Sequence, residues 1–202
     1  MPRTKKDVVT EFRTAAILQA AGHVFAERGF DQATIAAIAE AAGVGKGTVY
    51  LYYRSKREVY WAALSRSFLE LHAETRRAVD AAQGVEDKVR AFIDTKVRYF
   101  EAHRDFFRIY FSEFGRSVAR HAQFQRQMDD LFLEQVRTLE AVLQQGVRHK
   151  VVRPLRLDAA AFGVFDITRG VITQRLRGWS RASVDDDIAF AFDFAWKGLG
   201  QR

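Results

Sequence analysis

The chain contains no cysteine and only two prolines among its 202 residues. Without cysteine it cannot form disulfides, thiolate nucleophiles or cysteine-based zinc sites, which fits a reducing compartment. With so few prolines, long stretches that favour helix are left without a break. The composition therefore predicts an all-α protein.

Long apolar runs are also missing, and none approaches the roughly 20 residues that cross a bilayer. The basic N-terminus is followed by an amphipathic segment instead of the apolar core of a signal peptide. We therefore expect a cytoplasmic protein with no membrane partner. The net charge of +7 suits a polyanionic partner, although a solvated basic surface explains it as well.

Signatures of enzymes are absent as well. No G-x-S-x-G motif occurs, and the five histidines never form a metal-binding pair on one helical turn. We expect a protein that is not an enzyme and that needs no cofactor or metal.

Helical periodicity and its breaks divide the first part of the chain. Ile17, Ala21 and Phe25 are spaced four apart and predict a helix over 10–28, which Gly29 would end. A second helix would start after Thr34, whose hydroxyl can cap it, and would stop at Gly43. The sequence thus predicts where the first helix ends and where the second begins and ends.

A third helix is predicted over 45–52, and Ser55 with Glu58 forms a capping box for a fourth. In that box Glu58 would accept from the Ser55 N–H. The remaining pattern predicts helices over 56–82, 85–102, 105–114, 117–146, 158–177 and 185–199.

Two short helices joined by a glycine-containing turn have the dimensions that enter a DNA major groove. Val49 and Tyr53 are four apart and can face inward. The outward set would then be Lys46, Thr48, Tyr50 and Tyr52, which can donate to phosphates or base edges. Gly47 would let the backbone approach a phosphate, and Lys56 would add a cation at the start of the fourth helix.

Residues 34–56 read TIAAIAEAAGVGKGTVYLYYRSK, which resembles the DNA-binding signature of the TetR family. The resemblance covers roughly residues 12–60. It implies a three-helix, helix-turn-helix DNA-binding domain over 8–55 and a helical ligand-binding and dimerisation domain over 56–202. It also implies a homodimer that leaves double-stranded operator DNA when a small-molecule effector binds. By position, the DNA contacts would fall on Thr34, Lys46, Gly47, Thr48, Tyr50, Tyr52 and Lys56.

Three positions depart from the family pattern. Ala36 replaces a common arginine that can contact DNA, Ala37 replaces a usual acidic capping residue, and Gly45 replaces a frequent serine. The first change removes one potential contact. The other two should weaken helix ends by about 1 kcal/mol or less each.

The C-terminal half is rich in aromatic residues, which either fill a core or line a mostly apolar cavity. Our hypothesis for the effector site joins Phe107, Phe111 and Phe165 as a wall with Arg169 as the polar anchor. Arg169 could equally pair with Asp166 or Glu113. Such a site would suit a small hydrophobic or anionic effector.

Apolar stripes on the last two helices, among them Gly163, Val164, Ile188, Phe192 and Leu199, predict a two-fold interface between two copies of the chain. The sequence thus predicts a ligand-released homodimeric repressor. The alternative is a DNA-bound factor that contacts another protein and has no metabolite ligand.

Overall fold

The computed structural model describes residues 5–111 and 122–200. This part of the chain contains nine α-helices and no strand, so the predicted all-α class is confirmed. The helices are α1 (Lys5–Gln32), α2 (Ile35–Ala41), α3 (Lys46–Tyr52), α4 (Lys56–Ala81), α5 (Val85–Ala102), α6 (Arg104–Phe111), α7 (Ala122–Arg148), α8 (Leu157–Leu176) and α9 (Val184–Leu199). Over the same residues, no helix is both long enough and apolar enough to cross a membrane.

Most helix ends follow the predicted signals. Thr34 caps α2 by accepting a hydrogen bond from the Ala37 N–H at 3.1 Å, and Gly43 ends the turn with a φ of 65°. α1 starts at Lys5, earlier than predicted, and Gly29, at φ 71°, interrupts its helical backbone as predicted before one more turn follows. The start predicted for α7 at residue 117 lies outside the described residues.

The capping box at the start of α4 is shifted by one residue. The Glu58 N–H donates to Ser55 Oγ at 3.2 Å, as predicted, but Glu58 Oε2 accepts from the Arg54 N–H at 2.7 Å instead of from Ser55. Both ends of this short connection are thereby held, and α4 begins at a defined position.

The chain divides into two compact units. The first contains residues up to Phe68 and the part of α6 from Asp105, and the second contains the rest of the chain from Leu69. α4 contributes to both units. The compact division therefore differs from the boundary at 55/56 that the resemblance implied for the DNA-binding domain.

An aromatic cluster forms the centre of the first unit. The Tyr60 ring is fully buried and meets the rings of Phe25, Phe30 and Phe106 at centroid distances of 5.2, 5.8 and 5.4 Å. Phe30 also stacks on Phe25 at 5.7 Å, so the residue after Gly29 folds back onto α1 as expected. Burial of large rings supplies most of the stabilisation here.

In the second unit an ionic network ties α5, α8 and α9 together. Arg175 donates to Glu101 Oε2 at 3.0 Å and to Asp187 Oδ2 at 2.6 Å. Ser180 Oγ adds a bond to the same Asp187 carboxylate, and Arg104 donates to the Arg175 carbonyl. Because the guanidinium is mostly buried and reaches two carboxylates, it aligns these helix ends.

The apolar stripes predicted for the two-fold interface are partly used inside this unit. Val164, Ile188, Phe192 and Leu199 are all buried there. That part of the prediction was wrong, because these side chains face their own core.

Gly146 of α7 allows a close helix contact. A Cβ at this position would lie 2.5 Å from Val152 Cγ2 and 2.9 Å from Val85 Cγ1. We expect Gly146→Ala to lower the free energy of unfolding by about 1–3 kcal/mol, because overpacking outweighs the gain in helix propensity. Denaturant unfolding measures the change. The control is Gly22→Ala in α1, where an added Cβ meets nothing within 4 Å, and a destabilisation as large in that control would contradict this explanation.

Candidate DNA-binding surface and effector site

The recognition helix α3 is fixed from beneath by one side chain. Val49 is fully buried, and Ala39 of α2 is 3% exposed, so the two helices meet through small residues. The turn between them is held by the Val44 N–H, which donates to the Ala39 carbonyl at 2.9 Å. Val49 therefore determines which face of α3 points outward.

The predicted contact residues of α3 occupy that outward face to different degrees. Lys46, Gly47 and Tyr50 are exposed, and the Lys46 ammonium lies 6.0 Å from the centroid of the Tyr50 ring. Thr48 and Tyr52 are half-buried. Thr34, at the start of α2, is exposed although its hydroxyl oxygen already caps that helix.

Leu51 is an exposed residue of α3 that the sequence reasoning left out. Its side chain is 80% exposed, the largest exposure among the large apolar residues recorded for the described part of the chain. An apolar group at this position can contact a thymine methyl group. The helical spacing that places Val49 inward also places Leu51 outward, so the sequence carried the signal for its exposure.

The Lys56 ammonium forms hydrogen bonds within the first unit. Its ammonium donates to the carbonyls of Phe30, Asp31 and Ala33 at 2.6, 3.1 and 2.9 Å, and it lies 4.6 Å from the Phe30 ring centroid. A phosphate contact by this ammonium would have to compete with three carbonyls. The structure thus gives Lys56 a positioning role, and its direct contact with DNA stays a prediction.

A surface groove of about 580 Å³ lies beside this face. It is lined by Val9, Phe12, Arg13 and Ala16 of α1 together with Ala42, Gly43, Val44, Gly45 and Thr48. Phe12 is 75% exposed here. Of the residues that line the groove, only Thr48 is a predicted DNA contact, and the groove itself was not predicted from the sequence.

The residues of the effector hypothesis are distributed over both units. Phe107 is fully buried in the first unit, 5.4 Å from the ring of Phe68. Phe165 belongs to the second unit, and the side chain of Phe111 lies outside the described residues. The wall that was to join these three rings stays a prediction.

Arg169 is not placed as a buried anchor. It is 62% exposed and pairs with Asp166 at 2.9 Å, one of the two alternatives considered from the sequence. The cation next to the Phe165 ring is instead Lys96, with its ammonium 4.2 Å from the ring centroid. Among the residues with described positions, no group of three His, Cys, Asp or Glu side chains could hold a metal ion.

Comparisons with known proteins agree with the architecture. Residues 17–63 match the family model of bacterial regulatory proteins, tetR family. The transcriptional activator FasR of Mycolicibacterium smegmatis is 31% identical over 99 residues, which are 49% of this chain and 45% of FasR. The transcriptional repressor KstR2 of Mycobacterium tuberculosis is 30% identical over 143 residues, 70% of each chain.

Solved structures share the fold over nearly the whole chain. The ketosteroid transcriptional regulator KstR2 has a TM-score of 0.65 and 26% identity, covering 94% of this chain and 96% of that chain. FadR of Bacillus subtilis, solved in complex with stearoyl-CoA, has a TM-score of 0.70 at 16% identity, covering 91% and 98%. At 16% identity, the likeness to FadR shows the fold alone.

Gly47 offers a test of the outward face. A Cβ there would meet nothing within 4 Å, so Gly47→Ala should fold normally and gain up to about 1 kcal/mol of helix stability. Its affinity for operator DNA should nevertheless fall, because the methyl group keeps the backbone from a phosphate. Fluorescence anisotropy with duplex DNA selected from a random library measures this. Unchanged affinity would place Gly47 away from DNA.

Lys46 and Lys56 should separate direct contact from positioning. Lys46→Met is expected to keep the melting temperature and to reduce the slope of log affinity against log salt by about 1, as for a lost phosphate contact. Lys56→Met should lower the stability of the fold by about 2–3 kcal/mol and leave that slope unchanged. A reduced slope without lost stability in Lys56→Met would restore Lys56 as a DNA contact.

Proposed function

Because this chain belongs to the TetR family of bacterial transcriptional regulators, we propose that it is a homodimeric repressor whose operator affinity falls when a small hydrophobic or anionic effector binds. The observation that carries the DNA-binding part is the outward face of α3. There Lys46, Gly47 and Tyr50 are exposed on a helix fixed by the buried Val49. We place the protein in the cytoplasm, where its operator would be.

Pairing of two copies would give the protein two recognition helices. Paired readers suit half-sites about 34 Å apart or a multiple of that distance. The second unit leaves apolar rings exposed on α8 and α9: Phe162 is 39%, Phe190 57% and Phe194 65% exposed. Burying such rings against a second copy is a common source of dimer stability, and this supports the two-fold arrangement.

The effector class is supported by the interior of the second unit. The rings of Phe92 and Phe132 lie 6.2 and 4.5 Å from the ring of Phe165, so α5, α7 and α8 contribute to one aromatic cluster. An apolar ligand fits such surroundings. KstR2 is a ketosteroid regulator and FadR was solved with stearoyl-CoA, so related proteins of this fold are associated with large hydrophobic compounds.

Release would act through α4, which contributes to both compact units. An effector that moves this helix would change the spacing of the two recognition helices. The effector must bind the DNA-incompetent state more tightly, by about 5.5 kcal/mol for a nearly complete switch. Equal affinity for both states would leave the operator occupied.

A second candidate is a DNA-bound factor that contacts another protein and has no metabolite ligand. The same exposed rings, Phe190 and Phe194, could serve such a partner. A thermal shift measurement against a metabolite collection separates the two functions, because an effector stabilises the folded protein by an amount that grows with the logarithm of its concentration over its dissociation constant.

The decisive experiment combines that screen with operator binding. Each compound that raises the melting temperature is added to the protein bound to its selected operator duplex. The expected result is a loss of operator affinity of at least tenfold, with two chains per duplex measured by sedimentation before release. A stabilising compound that leaves operator affinity unchanged would contradict the release mechanism, and no stabilising compound at all would favour the protein-interaction factor.

A further inference from the structure

Lys96 lies in the middle of the second unit with its charge buried. The residue is only 4% exposed, and its ammonium donates to Gln135 Oε1. The same ammonium lies 5.0 Å from the Phe92 ring centroid and 4.2 Å from that of Phe165. One neutral acceptor and two ring faces therefore surround a cation.

Nothing described around Lys96 balances this charge. Among the residues whose side chains are described, no carboxylate forms an ion pair with it. A buried cation without an anion is costly, and proteins rarely keep one unless it has a use. In contrast, Arg175 of the same unit is also mostly buried but pairs with two carboxylates. An anionic ligand would supply the negative charge that the described residues around Lys96 do not provide.

A surface groove and a small inner cavity share wall residues in the neighbourhood of Lys96. A surface groove of about 340 Å³ between α4, α5 and α7 shares Arg76, Val79 and Thr138 with an inner cavity of about 10 Å³. That inner cavity is also lined by Phe92 and Gln135, two of the three residues that contact the Lys96 ammonium. The groove and the cavity thus have wall residues in common, and two walls of the cavity also contact the Lys96 ammonium.

We propose that Lys96 is the anion anchor of the effector site and that the effector is an amphipathic monocarboxylate. Its carboxylate would bind the Lys96 ammonium and the Gln135 amide, and its apolar part would pack on the rings of Phe92, Phe132 and Phe165. This inference rests on the proposed function, because it names the effector class and the residue that recognises it. It replaces Arg169 as the polar anchor.

The inner cavity is too small for such a ligand. A volume of about 10 Å³ holds roughly one water molecule, so a monocarboxylate must displace side chains of α4, α5 or α7. Val79 of α4 lines both the groove and the cavity. Displacement of Val79 would carry the rearrangement to α4, the helix that contributes to both units.

Protonation of Lys96 should make the affinity for the ligand depend on pH. Burial lowers the pKa of its ammonium to about 7, so the free protein loses this charge as the pH rises through neutrality. A carboxylate binds the charged form, so its affinity should be constant below pH 7 and fall by up to about tenfold per unit above it. The neighbouring elements also carry charged or titratable groups, namely His72 and Arg76 on α4, Glu134 on α7 and the exposed pair Asp166 and Arg169 on α8.

The test uses straight-chain and aryl monocarboxylates of increasing length, each paired with its neutral primary amide. Binding is measured by thermal shift and calorimetry between pH 6 and pH 9 on the wild-type protein, on Lys96→Met and on the control Lys150→Met, which removes the same charge from an exposed position that lines neither the groove nor the cavity. Methionine matches the length of lysine and carries no charge, so Lys96→Met should fold with at least wild-type stability. The pH series on the wild type needs no variant at all.

We expect the best carboxylate to bind the wild type and Lys150→Met alike, and to lose about 10- to 100-fold in affinity in Lys96→Met. The decline above pH 7 should vanish in Lys96→Met, although His72 is still present, and the amide should show no decline in any protein. Equal loss in Lys150→Met, or carboxylates that bind no better than their amides, would overturn the anchor.

Operator binding separates this inference from the function on which it rests. If amides and carboxylates release the operator equally and Lys96→Met responds as the wild type, the repressor function stands and Lys96 is not the anchor. If carboxylates bind through Lys96 and the operator affinity does not change, the result supports Lys96 as the anion anchor and contradicts release of the operator by the effector.

Discussion

One ammonium group ties together the two ends of the segment that contains the recognition helix. The Lys56 side chain, at the start of α4, bonds to three carbonyls at the end of α1, namely those of Phe30, Asp31 and Ala33. The chain between these two points contains α2 and α3, so the clamp closes a loop around the helix-turn-helix. Carbonyls at a helix end lack partners within the helix, and a lysine ammonium has three protons to donate. One residue therefore satisfies three acceptors and fixes both ends of the DNA-facing segment.

The first unit was predictable from sequence because its signals are local. The hydroxyl of Thr34 and the positive φ of Gly43 determine helix ends within a few residues, and the structure has both. Lys56 shows where such reasoning stops. A lysine next to a DNA-binding helix suggests a phosphate contact, but its acceptors lie 23 to 26 residues away in the sequence. Only folding brings these carbonyls next to the Lys56 ammonium, so the motif alone could not predict the positioning role.

The second unit carried weaker signals, and the structure gives the predicted polar anchor another partner. Arg169 was preferred as an anchor because a cation near aromatic residues suggests anion binding, yet Asp166, one helical turn away, already pairs with it at 2.9 Å. Lys96 was overlooked although its spacing was visible. It lies four residues from both Phe92 and Phe100, which places it on the buried face of α5. A lysine within an apolar stripe is the sequence signal that could have found it.

The small size of the cavity near Lys96 bears on how a regulator of this fold can respond at all. A preformed cavity that fits its ligand would require little rearrangement, and a ligand that leaves the protein unchanged cannot move a DNA-binding helix. Here the space beside Lys96 holds about one water molecule, and Val79 of α4 forms part of its wall. Binding must therefore be linked to movement of side chains next to α4. The uncompensated charge of Lys96 offsets the cost of that movement, because the incoming anion removes the penalty that burial imposes on the ammonium. Charge and closed packing thus act together, since the first attracts the ligand and the second makes its arrival a conformational change.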